Sequence, residues 1–152
     1  MTQRALRFRA WDPNANEGVG AMADVWNIGF RAWRDYSINS LTLYAGDGTY
    51  EGDTLRENII LMQFTGLLDR NGKEIYEGDV VQLIHEDGFR DELGNRPDDS
   101  IVGVVTWREN GFNVSYEHND RWHQNGGPSL TIADSERVLL GNIHENPELV
   151  AQ

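Results

Sequence analysis

Residues Leu61–Ile84 read LMQFTGLLDRNGKEIYEGDVVQLI. The stretch predicts three short strands joined by two tight turns. Asn58 to Phe64, rich in β-branched and apolar residues, is a strand that ends at Thr65-Gly66. Asp69-Arg70-Asn71-Gly72 is a turn, because glycine takes left-handed backbone without steric cost and Asp and Asn bond back to nearby amides. Ile75-Tyr76 makes the second strand, and Glu77-Gly78-Asp79 turns the chain again. The simplest role for Asp79 is a side-chain hydrogen bond inside that turn, not acid–base chemistry. Val80–Ile84 is the third strand, rich in β-branched residues.

Outward from this stretch the β pattern continues. Ile101–Trp107 places Ile101, Gly103, Val105 and Trp107 on one face and Val102, Val104 and Thr106 on the other. Both faces are largely apolar, so the strand should be central, with Gly103 letting it bend. Glu109-Asn110-Gly111 predicts a turn, and Phe112, Val114 and Tyr116 then alternate with polar residues. Leu130–Ile132 and Val138–Ile143 predict two more strands, the last closing a barrel. Asn146-Pro147 predicts a final helical turn with Pro at its first position. Between the strands lie two polar segments, 85–100 and 117–129, expected as loops; the first, about sixteen residues, is longer than ordinary hairpin connections.

Upstream, Leu6–Trp11 alternates as a half-buried strand, with Arg7 and Arg9 on an ordinary solvated face, and Asp12-Pro13-Asn14 stops it. Leu41–Tyr44 and Thr49-Tyr50 predict a hairpin across Ala45-Gly46-Asp47-Gly48. Residues 14–40 are hardest to read. Trp26, Phe30 and Trp33 have helical spacing, but the surrounding residues favour strand or loop. A Gly-Asp step followed at once by a Val-rich strand recurs in small SH3-like barrels, an analogy of architecture and not of function. The expected fold is therefore mainly β: one small β-rich domain over 1–152. Its C-terminal half (61–152) is an SH3-like, partly open barrel, with an N-terminal β-rich lobe (1–60) packed on it.

Thirteen Lys and Arg against twenty-five Asp and Glu give a net charge of −12. Such a surface repels nucleic-acid phosphate unless a local basic patch exists. The segment 85–100 concentrates the imbalance, with six acids against Arg90 and Arg96. There are no cysteines, which excludes disulfides, Cys-ligated zinc and thiol catalysis. No apolar run approaches the ~20 residues of a membrane helix, and MTQRALRFRAW lacks a signal-peptide apolar core. A soluble intracellular chain is the expectation, with no membrane partner.

Catalytic signatures are missing. No G-x-S-x-G elbow exists, and Gly46, Gly48 and Gly52 are not followed by Lys-Ser/Thr. His85, His118, His123 and His144 form no H-E-x-x-H pair; His118, Asp120 and His123 share one segment but read as solvated. No enzyme, cofactor or metal is expected.

Three blocks carry a resemblance. They are Phe8-Arg9-Ala10-Trp11-Asp12, then Leu61–Leu67 with Asp69–Val80, and finally Gly141-Asn142-Ile143-His144-Glu145-Asn146-Pro147-Glu148-Leu149. Together they resemble the YopX family of phage and prophage proteins. The resemblance implies a β-rich fold with a barrel-like C-terminal part and a phage or prophage origin, hence a place in the cytoplasm of a bacterial host. It brings no activity and no catalytic residues. The shared blocks read as fold determinants, so recognition is expected elsewhere. The candidate interaction surface is Trp11, Trp26, Trp33, Asp91, Glu92, Asp98, Asp99 and Trp122. The leading expectation is a non-catalytic binding module for a host or phage protein. The alternatives are a small barrel that binds nucleic acid through Arg and Trp, and a counter-defence protein that mimics nucleic acid or binds a nucleotide. Self-association through sheet edges stays open.

Overall fold

A computed structural model describes residues 6–15, 18–30, 38–45, 50–53, 58–89, 98–108, 111–118, 121–123, 129–131 and 135–150. Strands dominate them: β1 Phe8–Asp12, β2 Ala21–Phe30, β3 Ile38–Ala45, β4 Tyr50–Asp53, β5 Ile60–Leu68, β6 Glu74–Tyr76, β7 Asp79–Phe89, β8 Asp98–Arg108, β9 Gly111–His118, β10 Arg121–His123 and β11 Ser135–Asn142. A 3-10 turn follows at Pro147–Leu149. The strands form two antiparallel sheets, ordered β4-β3-β2-β1-β5-β6 and β10-β9-β8-β7-β11, the second curled into a half-barrel. The chain is mainly β, as its pattern predicts. It divides into two compact units, Met1–Phe64 and Thr65–Gln152.

In the first unit, the hard-to-read segment contains a ten-residue strand. β2 pairs with β1 on one side and β3 on the other, so strand pairing overrides the helical spacing of Trp26 and Phe30. The expected hairpin forms between β3 and β4; its turn residues lie outside the described set. Ala10 faces Ala23 across one ladder and Leu61 across the other, and both alanines are buried. Val25, Ile28, Ile59 and Leu61 pack around them. Arg7, just before β1, and Arg9, within it, are more engaged than a solvated face implies. The Arg7 guanidinium lies 4.5 Å from the Phe64 ring centroid, and Arg9 Nη2 reaches Met62 Sδ at 3.9 Å. The Arg7 guanidinium thus lies over an aromatic ring of β5, and the Arg9 Nε is buried. Asp12 ends β1 as expected: its buried carboxylate accepts the Asn14 amide at 2.9 Å.

β5 does not stop at Thr65-Gly66. It runs on to Leu68, and its in–out alternation breaks where Phe64 and Thr65 are buried in succession and Gly66 follows at φ 84°. The Thr65 hydroxyl holds this break. It donates to the Ile75 carbonyl at 2.8 Å and accepts the Leu67 amide at 3.1 Å.

In the second unit β8 is the middle strand, as its two apolar faces predict. Ile101 and Val105 join Ile75, Val81, Leu83, Phe112, Val114 and Leu130 in one core on the inner face of the half-barrel. Two segments expected as loops contribute strands. From 85–100 come the end of β7 and the start of β8, which pair Phe89 with Asp98 and Ile84 with Ser100. From 117–129 comes β10, paired back onto β9 from Arg121–His118 to His123–Tyr116. Both are polar, so no alternation reveals them as strands. Leu130 departs in the other direction. It begins no strand but sits in a turn, its amide donating to the Phe112 carbonyl at 2.9 Å while its side chain fills the core.

Gly103 is a point of close approach between β8 and β9. A Cβ there would collide with the Ser115 carbonyl oxygen and would lie 2.7 Å from Val114 Cγ1. Because backbone cannot yield as a side-chain tip can, Gly103→Ala should lose about 1–3 kcal/mol of stability. Chemical denaturation measures the loss; an unchanged midpoint contradicts this packing.

Candidate functional site

Buried polar side chains mark where a fold commits chemistry. In the C-terminal unit Asp69, Asp79 and Asn142 are buried. Each one stands at a strand end or a turn within the sequence blocks that carry the family resemblance.

Asp69 organises the β5–β6 turn. Its amide donates to the Lys73 carbonyl at 2.7 Å, and the Gly72 amide donates to the Asp69 carbonyl at 3.0 Å. Only Gly72 of the pair Asn71-Gly72 has positive φ, at 81°. The turn therefore uses one left-handed residue rather than the two of a type I′ hairpin. The Asp69 carboxylate fills the inside of this turn. Oδ1 accepts the amides of Asn71 and Lys73, each at 2.8 Å. Oδ2 accepts Asn71 Nδ2 at 3.4 Å and the Leu139 amide of β11 at 3.5 Å. Beside it the Arg70 amide donates to the Arg137 carbonyl at 2.9 Å, and the Arg70 side chain lies 3.7 Å from Glu136. The hairpin tip is thus tied to β11 at the edge of the sheet. The tie falls beside the β11 bulge, where the register slips between Leu139 and Gly141. Burial alone raises the Asp69 carboxyl, but the amides of Lys73, Asn71 and Leu139 and the Asn71 side chain outweigh it. The net pKa is lowered from 3.8.

Asp79 serves the next turn, its Oδ2 accepting the Tyr76 amide at 2.7 Å. Gly78, at φ 80°, is held from both sides: its amide donates to the Val105 carbonyl at 2.8 Å and its carbonyl accepts the Ile143 amide at 3.0 Å. Asn142 closes the last strand. Its Oδ1 accepts the amides of His144 at 3.0 Å and Glu145 at 2.9 Å, and its Nδ2 donates to Glu145 Oε2. Asn146 is the residue before the predicted final turn, with Pro147 first in it as expected, but its side chain does not cap that turn. Asn146 Oδ1 instead accepts the Asn142 amide at 3.4 Å. A Cβ on Gly141 would meet Asn146 and Leu149, so the glycine makes room for the returning tail. These polar groups are turn and tail supports. Among the described residues no group of three or more His, Asp or Glu side chains is placed to hold a metal ion.

The three sequence blocks are therefore a turn-and-tail framework, and a model of the family described as YopX protein matches residues 7–151. The chain belongs to the YopX family. Among solved structures it is similar to protein EF1440 from Enterococcus faecalis, 25% identical, with a TM-score of 0.52 over 97% of this chain and 99% of that one. It is also similar in fold to protein YopX from Bacillus subtilis, 20% identical, with a TM-score of 0.53 over 97% and 98%. No curated protein matches the chain.

Within this YopX-family framework, five of the eight residues expected to form an interaction surface lie among the described residues. Trp11 lies half-buried in β1, and its indole occupies the space beside Gly20 that a Cβ would need. It is a packed residue, not an open stacking face. Trp26 lies at the β2 bulge between Val25 and Asn27. Asp98 and Asp99 begin β8, and Trp122 is the middle residue of β10, paired with Glu117, so these three are in strands and not loops. Trp33, Asp91 and Glu92 lie outside the described residues. Trp107 has the parity of the buried face of β8, yet it is 51% exposed at the end of that face. Its ring meets the buried Phe112 edge-on, 4.8 Å between centroids, and exposed Arg108 follows it. No periodicity predicts this, because only its place at the strand end exposes Trp107.

The lowered Asp69 pKa has a stability consequence. The unfolded chain binds the proton more tightly, so the carboxylate's contribution is fully present above the ordinary carboxylate range. It is lost as pH falls through the lower, folded value. Asp69→Asn should be less stable than wild type at neutral pH, and the gap should narrow on acidification below about pH 4. Thermal melts of both proteins across that range provide the check; a gap that widens in acid contradicts it.

Proposed function

We propose that the chain is a phage- or prophage-encoded, non-catalytic binding module that acts in the bacterial cytoplasm on a host or phage protein. The observation that carries this reading is Trp107. A tryptophan half in water, pinned edge-on by a buried Phe112 and followed by an exposed Arg108, presents the two side-chain types that most often dominate protein interfaces. Pinning matters because a ring already fixed in the free protein loses less entropy on binding.

The described buried carboxylates support the same reading. Asp12, Asp69 and Asp79 each accept backbone amides of their own turn. A carboxylate occupied by the amides of its own turn serves that turn, unlike a general acid or base aimed at a substrate. Charge favours a protein over nucleic acid. The paired ends of β7 and β8 carry Glu86, Asp87, Asp98 and Asp99 in sequence. With a net charge of −12, they favour a partner with a basic surface and oppose phosphate.

The test is affinity capture from a lysate of a lysogenic or infected bacterium, with the intact chain and Trp107→Ser as parallel baits. The intact chain is expected to retain a protein that Trp107→Ser, melting at the wild-type temperature, retains at least about tenfold less, a loss on the scale of a central interface residue. Retention of no protein by the intact chain, or equal retention by both baits, contradicts the proposal.

A further inference from the structure

We infer that Asn71 is a site of spontaneous deamidation that the Asp69 turn holds in check. An Asn followed by Gly is the dipeptide in which the next amide nitrogen most easily reaches the side-chain carbonyl carbon, because glycine offers no side chain in the way. The chemistry is intramolecular. The Gly72 amide gives its proton to solvent base, and its nitrogen bonds to Asn71 Cγ. The Cγ–Nδ2 bond breaks and ammonia leaves, forming a succinimide. Water then opens the ring to aspartate or isoaspartate. No oxidant, metal or enzyme is needed, and both Asn71 and Gly72 are exposed to water.

The turn opposes each step of that reaction. The nucleophile's proton is held: the Gly72 amide donates to the Asp69 carbonyl at 3.0 Å. The electrophile is held too. Asn71 Nδ2 points at Asp69 Oδ2, 3.4 Å away, and the Asn71 amide is fixed on Asp69 Oδ1 at 2.8 Å. Reaching the Gly72 nitrogen requires the Asn71 side chain to leave Asp69. Deamidation at Asn71 therefore proceeds from the opened turn, and its rate reports how often the turn opens.

The product does not fit the closed turn. An aspartate in place of Asn71 removes the Nδ2 donor and sets a second carboxylate against Asp69 Oδ2, and like charges at that distance repel; an isoaspartate loses the same donor and adds a methylene to the backbone of the turn. The same Asp69 oxygen also accepts the Leu139 amide of β11. A single ammonia loss at the hairpin tip thus weakens the tie that secures the sheet edge, and the change does not reverse.

The experiment incubates the intact chain, its Asp69→Ala variant and a synthetic peptide of residues 67–75 at pH 8 and 37 °C. Peptide mapping by mass spectrometry then measures aspartate and isoaspartate at position 71. The intact chain is expected to deamidate there at least about tenfold more slowly than the peptide, with Asp69→Ala recovering most of the peptide's rate. Equal rates in the intact chain and the peptide overturn the inference, as does an Asp69→Ala variant that is folded and still protected. If Asp69→Ala does not fold, the chain-against-peptide comparison stands without it, and Asn71→Asp tests the consequence. That variant is expected to melt below wild type at pH 7, and melting at or above wild type overturns the claim that the product loosens the turn.

Discussion

One carboxylate connects distant parts of the C-terminal unit. Asp69 accepts two amides of its own turn and one from β11, seventy positions along the chain. Without it the turn would leave amide donors facing inward with no acceptor, which costs more than the bond itself contributes. The hairpin would also lose its side-chain attachment to β11, leaving the Arg70–Arg137 backbone bond and an exposed Arg70–Glu136 ion pair at that edge. An edge strand held on one side by β7 needs this second attachment, because unpaired edges invite slippage and association.

The other buried polar groups follow the same logic at successive corners. Thr65 holds the break in β5, Asp79 and Gly78 hold the β6–β7 turn between β8 and the chain's tail, and Asn142 folds that tail back. Core packing alone would not specify these corners, since apolar contacts are non-directional. Directional bonds to backbone amides do, and they let a half-barrel keep one register without closing into a full cylinder. The framework then leaves its variable chemistry to strand ends. Trp107 and Arg108 stand at one such end, and the acidic ends of β7 and β8 at another.

Much of this was legible in the residues. Asn71-Gly72 and Gly78-Asp79 announce turns because few residues accept that backbone, and the two-faced apolar pattern of Ile101–Trp107 announces a central strand. Three things were hidden, each for a physical reason. The bond from Asp69 to Leu139 joins a side chain to a backbone amide, and every residue but proline carries such an amide, so nothing in the sequence marks Leu139. The ends of β7 and β8 are mostly polar and β10 has only three residues, so a run of alternation, the usual sign of a strand, is missing although backbone pairing is intact. The exposed position of Trp107 depends on where the strand ends and not on its period. The interaction surface was legible least of all. Tryptophan and acidic residues stand out by type, yet Trp11 is a packing residue over Gly20, and Asp98 and Asp99 belong to a paired strand.

Native-state hydrogen exchange tests most directly whether Asp69 is the common support of turn and edge. In the wild-type chain the amides of Asn71, Lys73 and Leu139 should exchange with one shared opening free energy, and Asp69→Ala should strip protection from all three while Val105 and Val114 in the centre of the sheet keep theirs. Protection of the Leu139 amide that survives Asp69→Ala unchanged would contradict the account, because the Asp69 carboxylate would then not be what secures that amide.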